Sequence, residues 1–250
     1  MSSNSELMAA AAQSGAKPAI ISITKIRMRN TQDAMVQRTT EFFSKAYFPA
    51  LQRSGAGPLG AFNALIAADS PFLMLVSQFP SLAAYETSRE KMQADKELQK
   101  ARVSYAAGPL QYVRYETSLL KGFSSFPAIE LPSAPAAGKS RIFELRTYES
   151  NNTMSLAKKI SMFDGGEIAI FRKAGMIPVF FGETIVGQNM PNLTYMVGFD
   201  DLAGREKMWS AFASSPEWAK MRSQPGFGDG EIVSNISNAI LRPTAFSAIR

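Results

Sequence analysis

The sequence contains no cysteine and no histidine in its 250 residues. Without cysteine there is no disulfide, thiolate metal site, iron–sulfur cluster or thiol nucleophile. Without histidine there is no Ser-His-Asp triad, no imidazole acid or base, no His-bound zinc or iron, and no haem held by a proximal histidine. Any chemistry must rest on carboxylates, Lys, Arg, Tyr, Ser, Thr or the backbone. No run approaches the roughly 20 apolar residues needed to cross a bilayer, so no membrane span is expected. Residues 1–17 are polar and alanine-rich, with no charged start and no long apolar stretch. They are not a secretion signal as written. They read as an arm on a cytoplasmic chain, or as the remnant of a signal on an exported one.

The rest is an ordinary globular composition, 46% hydrophobic and 19% charged. Lys and Arg number 27 against 21 Asp and Glu, for a net charge of +6. The basic residues are scattered. Pairs such as Lys158-Lys159 and Arg172-Lys173 read as helix surface, and no nucleic-acid motif accompanies them, so no nucleic-acid partner is expected.

The most informative feature is an internal repeat. Pro71-Phe-Leu73 and Pro191-Asn-Leu193 stand 120 positions apart. The same spacing pairs Phe43 with Phe163, Gly55 with Gly175, Pro58 with Pro178, Phe79 with Phe199, and Leu82-Ala83 with Leu202-Ala203. At the start of each copy the match slips by one, laying Ile23-Thr-Lys-Ile-Arg27 over Ile142-Phe-Glu-Leu-Arg146. The expected organisation is an arm at 1–18, a first unit at 19–123, a Pro/Ala-rich extended linker at 124–139, and a second unit at 140–250.

Each unit reads as β-α-β-β-α-β. In the first, strands are expected at 19–29, 59–67, 72–79 and 110–119, with helices over 31–53 and from the cap Ser81 to about Ala106. In the second, strands are expected at 141–148, 176–186, 193–199 and 231–241. Its first helix is weakened by Gly165-Gly166, and its second restarts at Ser215-Pro216, an N-cap followed by proline at the first helical position. This is the ferredoxin-like arrangement, an α+β fold with helices on one face of an antiparallel sheet. Two such units in tandem can hide their bare sheet faces by closing on each other into one intrachain dimeric α+β barrel.

Ile142-Phe-Glu-Leu-Arg-Thr-Tyr148 resembles the NIPSNAP family of the dimeric α+β barrel superfamily. The resemblance continues through Leu193-Thr-Tyr-Met-Val-Gly-Phe-Asp-Asp-Leu-Ala-Gly-Arg205, Ser214-Ser-Pro-Glu-Trp218 and Ile240-Leu-Arg-Pro-Thr-Ala-Phe-Ser247. It covers nearly all of the second unit. The first keeps a diverged version in Gly57-Pro-Leu-Gly60 and Pro80-Ser-Leu-Ala-Ala-Tyr85. The resemblance implies a bacterial-type tandem member with the paired barrel, and it brings no settled reaction. The family often has histidines near the positions of Ala174 and Thr194, so a histidine-dependent activity does not carry over.

Strand alternation separates Phe143, Leu145 and Thr147 from Glu144, Arg146 and Tyr148, and Ile26 and Met28 from Lys25, Arg27 and Arg29. If the apolar sides pack on helices, the polar sides point between the sheets. Lys25, Arg27, Arg29, Glu144, Arg146 and Tyr148 are therefore the ligand-binding candidates, with Lys25 and Glu144 as a pair across the pseudo-twofold axis. Arginine would clamp an anion and tyrosine would supply a hydrogen bond or proton. These same residues also read, and first of all, as a salt-bridge network holding the two halves in register. The expected function is a small-molecule-binding barrel without metal or cofactor. The alternatives are a cofactor-independent oxygenase-type enzyme or a structural module that assembles as a homo-oligomer. Trp218, aligned with Leu98, reads as core, and Asp200 or Asp201 as a helix cap.

Overall fold

A computed structural model describes residues 16–135 and 139–250. Most of the N-terminal arm, and with it the signal-remnant reading, lies outside the described residues.

The first unit runs β1 (Ile20–Arg27), α1 (Met35–Phe42), a π-helical turn (Phe43–Tyr47), α2 (Phe48–Arg53), β2 (Leu59–Ile66), β3 (Phe72–Phe79), α3 (Leu82–Ala94), α4 (Lys96–Ala106) and β4 (Arg114–Gly122). The second runs β5 (Ile142–Glu149), α5 (Thr153–Met162), a π-helical turn (Phe163–Glu167), α6 (Ile168–Lys173), β6 (Ile177–Val186), β7 (Asn192–Phe199), α7 (Leu202–Ala213), α8 (Pro216–Arg222), α9 (Asp229–Ile232) and β8 (Asn235–Pro243). The two π turns begin 120 residues apart, as do α3 and α7.

The boundaries depart from the sequence reading where a side chain caps a new start. The expected long helix from Ser81 breaks at Asp95, which leaves the helical region and accepts a hydrogen bond from the Leu98 amide. Ser215 does the same for the Trp218 amide at the equivalent place. The last strand of each unit begins later than expected: Gly108-Pro109 is followed by irregular chain, and α9 intervenes before β8. Asp201 caps α7 by accepting from Gly204, as expected.

All eight strands close into one antiparallel barrel in the order β1-β3-β2-β8-β5-β7-β6-β4. Within each unit this is the ferredoxin-like order, and the units join through β2–β8 and β4–β6. The barrel interior is apolar. Phe62, Phe143, Phe180 and Met196 are fully buried there with Ile21, Val76 and Leu241. Segments that follow the last strand of each unit pack on the helix-layer cores and into the barrel. Phe126 packs edge-on against Phe181, and Phe246 against Phe48. Ile129 and Ile249, again 120 apart, both enter the barrel cluster. Two further cores lie between the sheet and the helices, one in each unit.

Strand register corrects the sequence alignment of the first strands. Ile23 lies opposite Val76, and Leu145 lies opposite Met196. Val76 and Met196 are repeat partners, so Ile23 matches Leu145, a separation of 122 rather than the expected 119. The error is an odd number of residues, and an odd slip exchanges the two faces of a strand. The true matches are Ser22 with Glu144, Thr24 with Arg146, and Ile26 with Tyr148.

Candidate functional site

The six sequence candidates fall into separate groups. Lys25 and Arg27 do lie on the barrel-facing side of β1, at its end. Arg27 donates to Asp69 at 2.5 Å, Lys25 stands 3.7 Å from the same carboxylate, and its ammonium lies 4.6 Å from the Phe72 ring centre. Arg29 is exposed. Glu144, Arg146 and Tyr148 face the opposite way, into the helix layer of the second unit, and Phe143 and Leu145 face the barrel. The expected pairing of Lys25 with Glu144 does not form. Both faces of a barrel strand are buried, one by the other strands and one by helices, so apolar alternation did not say which side was which.

Glu144 is completely buried and its carboxylate is saturated. Arg146 donates to it at 2.8 Å, Arg205 at 2.7 and 2.8 Å, Trp209 Nε1 at 2.8 Å and Asn238 at 2.9 Å. Burial alone would raise its pKa. The hydrogen bonds from Arg205 and Asn238, the Arg146 charge and the Trp209 hydrogen bond outweigh this and hold it at about 2. Arg146 also reaches the Tyr148 hydroxyl at 3.3 Å and lies over the Trp209 ring. Around this network Phe163, Phe171, Phe181, Tyr195 and Phe212 pack ring against ring. Trp218 is buried in the same core. Lys159, expected on the surface, is instead sealed inside with Glu167 at 3.2 Å, beside the rings of Tyr148, Phe163 and Trp218.

The first unit has the same frame and a different filling. Leu75 stands where the second unit has Tyr195, Leu51 where it has Phe171, Met92 where it has Phe212, Ser88 where it has Met208, and Arg89 where it has Trp209. Ser22 and Thr24 replace Glu144 and Arg146. Smaller side chains across one shared backbone leave a cavity of about 400 Å3 between the sheet and the helices. Its floor is Ser22, Thr24 and Ile26 of β1, Leu75, Ser77 and Phe79 of β3, and Tyr115 and Thr117 of β4. Its roof includes Phe43 and Tyr47 of the π turn, Tyr85, Arg89 and Met92 of α3, and Arg102 and Tyr105 of α4. A π turn inserts one residue into the helical ladder and redirects the side chains that follow, a device common at functional sites. Here Pro49, which has no amide hydrogen to give, follows the turn.

The lining holds no Asp, Glu or Lys. Its only fixed charges are Arg89 and Arg102, and neither forms an ion pair among the described residues. Burial raises the pKa of Tyr47, Tyr105 and Tyr112, so these phenols are neutral donors at physiological pH. The site can donate hydrogen bonds, offer positive charge and stack on aromatic or apolar groups. It holds no carboxylate or lysine to act as a general base or to ligate a cation.

Sequence reasoning missed this site because each lining residue is unremarkable alone. The signal was present in the repeat itself: aromatic residues of the second unit meet smaller or cationic residues of the first at the same spacing.

Residues 143–248 match the family model described as NIPSNAP. No curated protein matches the sequence. Among solved structures, a presumed monooxygenase of Fusobacterium nucleatum superposes with a TM-score of 0.59 at 8% identity, over 91% of this chain and 93% of that one. A presumed monooxygenase of Lactobacillus acidophilus gives 0.58 at 9% identity, over 91% and 94%. An uncharacterized NIPSNAP-like domain protein of Burkholderia xenovorans is 22% identical over 43% of this chain and 88% of its own, with a TM-score of 0.38. At these identities the full-length matches establish a common fold and leave the chemistry open.

Proposed function

Because the second unit of this chain is of the NIPSNAP family and closes with a diverged first unit into one tandem dimeric α+β barrel, we propose that the protein binds a small molecule in the first-unit cavity. The binding place is beneath the helices rather than between the sheets, where side chains already fill the space. One observation carries the reading. Two units share a frame, yet aromatic rings fill the helix-layer core of the second, and the first keeps about 400 Å3 lined by apolar, phenolic and cationic groups. That volume falls in the range of small-molecule pockets. Ser22 and Ser77, directly opposite each other on β1 and β3, support it. Both residues are more than nine-tenths buried and line the cavity. Their hydroxyls can donate to or accept from an occupant of the cavity.

The role is binding rather than base-driven catalysis, since every titratable group of the lining is an arginine or a tyrosine. Native mass spectrometry of the full chain, purified from its own cells, tests the reading. The wild type should retain a ligand of a few hundred daltons, and Leu75→Tyr, which restores the second unit's filling, should not. Equal bare masses for both proteins, with no stabilisation of the wild type by any member of a small-molecule panel, would overturn it.

A further inference from the structure

The two units also indicate what the ligand is, on the premise that the first-unit cavity is the binding site. In the second unit a carboxylate, that of Glu144, sits on the sheet beneath the helices. It receives hydrogen bonds from β5 itself, from β8 and from α7. In the first unit the carboxylate-bearing residue is replaced by Ser22, and the residues around the vacated place remain polar. Thr24 and Thr117 occupy the Arg146 and Asn238 positions, since each pair is matched by the strand register. Tyr85 and Arg89 occupy the Arg205 and Trp209 positions one helical turn apart on α3. All four line the cavity with Ser22.

The first unit therefore has no chain carboxylate at this place, the positions of its two arginine partners hold Thr24 and Tyr85, and Arg89, at the Trp209 position, lines the same cavity. Arg89 lies over the Tyr85 ring, 5.9 Å from its centre, with no carboxylate paired to it among the described residues. The aromatic body that surrounds Glu144 in the second unit has been removed as well, at Leu75, Met92 and Leu51. We infer that the ligand of the first unit is an aromatic monocarboxylate whose carboxylate takes the place that Glu144 holds in the second unit. Its rings would fill the space of Tyr195 and Phe212. Arg89 would clamp the carboxylate, and the Ser22 and Ser77 hydroxyls would donate to its oxygens.

The test is isothermal calorimetry on the full chain with naphthalene carboxylate and with uncharged naphthalene methanol as probes. The acid should bind roughly tenfold or more tightly than the alcohol, as a charge-assisted contact requires. Arg89→Gln should reduce the acid to the affinity of the alcohol and leave the alcohol unchanged. Ser22→Glu should supply the missing carboxylate from the chain and abolish acid binding, with the variant's circular dichroism showing that it remains folded. Leu75→Tyr should abolish binding of both probes. If both probes bind alike and Arg89→Gln alters neither, while Leu75→Tyr still blocks them, the carboxylate assignment fails and the cavity stands. If neither probe binds the wild type, the carboxylate assignment fails too, and the mass-spectrometric comparison decides the cavity separately.

Discussion

Arg205 grips Glu144 through two parallel hydrogen bonds, Nε to Oε2 at 2.8 Å and Nη2 to Oε1 at 2.7 Å, and so ties α7 to β5. The carboxylate has no access to water. Removing either arginine takes one of the two cations and its charge-assisted hydrogen bonds from a buried carboxylate, at a cost of about 1.5–3 kcal/mol. Arg205→Ala should lower the urea midpoint accordingly, and Arg146→Ala should do so in the same sense. Binding in the first-unit cavity should be unchanged by either. A stability loss within about 0.5 kcal/mol, the range of ordinary surface changes, would show that the network is dispensable.

The two buried carboxylates of the second unit pull stability in opposite directions with pH. Glu144 titrates at about 2 in the folded protein against an ordinary 4.5, so its contribution is present above pH 4.5 and is lost as pH falls toward 2. Burial pushes Glu167 up to about 7 despite the Lys159 ammonium, so the folded state holds its proton more tightly than the unfolded chain. That contribution is complete below pH 4.5 and is lost as pH rises toward 7. Thermal melts should therefore show stability declining from about pH 5 to pH 7, and Glu167→Gln should flatten that decline. An unaltered slope in the variant would exclude Glu167 as its source.

Filling the first-unit cavity should stabilise the fold while removing the proposed binding. Met92→Phe introduces the residue found at the equivalent Phe212, against a frame that already accommodates it. The added apolar burial should be worth about 1 kcal/mol, seen as a rise of a few degrees in Tm. A fall in Tm would mean that the cavity walls differ from those of the second unit by more than their side chains.

Ile249 and Ile129 plug the barrel at repeat-equivalent places, fully and nearly buried respectively. Ile249→Ala should cost about 2–5 kcal/mol, as large-to-small changes in a core do. Ile129→Ala should cost less, because its site is partly open. Equal and negligible losses in chemical denaturation would show that these segments merely rest on the barrel.

The repeat, the strand and helix order and the closed barrel were legible in the sequence, because spaced glycines, prolines and apolar residues are local signals that survive divergence. The exclusions were equally firm, since a residue type that is missing cannot act. The faces of the first strands were not legible. In Ile142-Phe-Glu-Leu-Arg146 both sides of the strand are covered, so polarity no longer marks solvent; assigning the apolar side to the helices turned Glu144, Arg146 and Tyr148 inward, and an alignment wrong by an odd step matched Glu144 to Lys25.

The amino-acid sequence by itself determined two copies of one β-α-β-β-α-β unit and a protein without thiol or imidazole chemistry. Only the tertiary structure decided where a ligand has room. Space depends on the summed volumes of side chains that converge from β1, β3, α3 and α4, elements far apart along the chain. No single position in the sequence carries that sum.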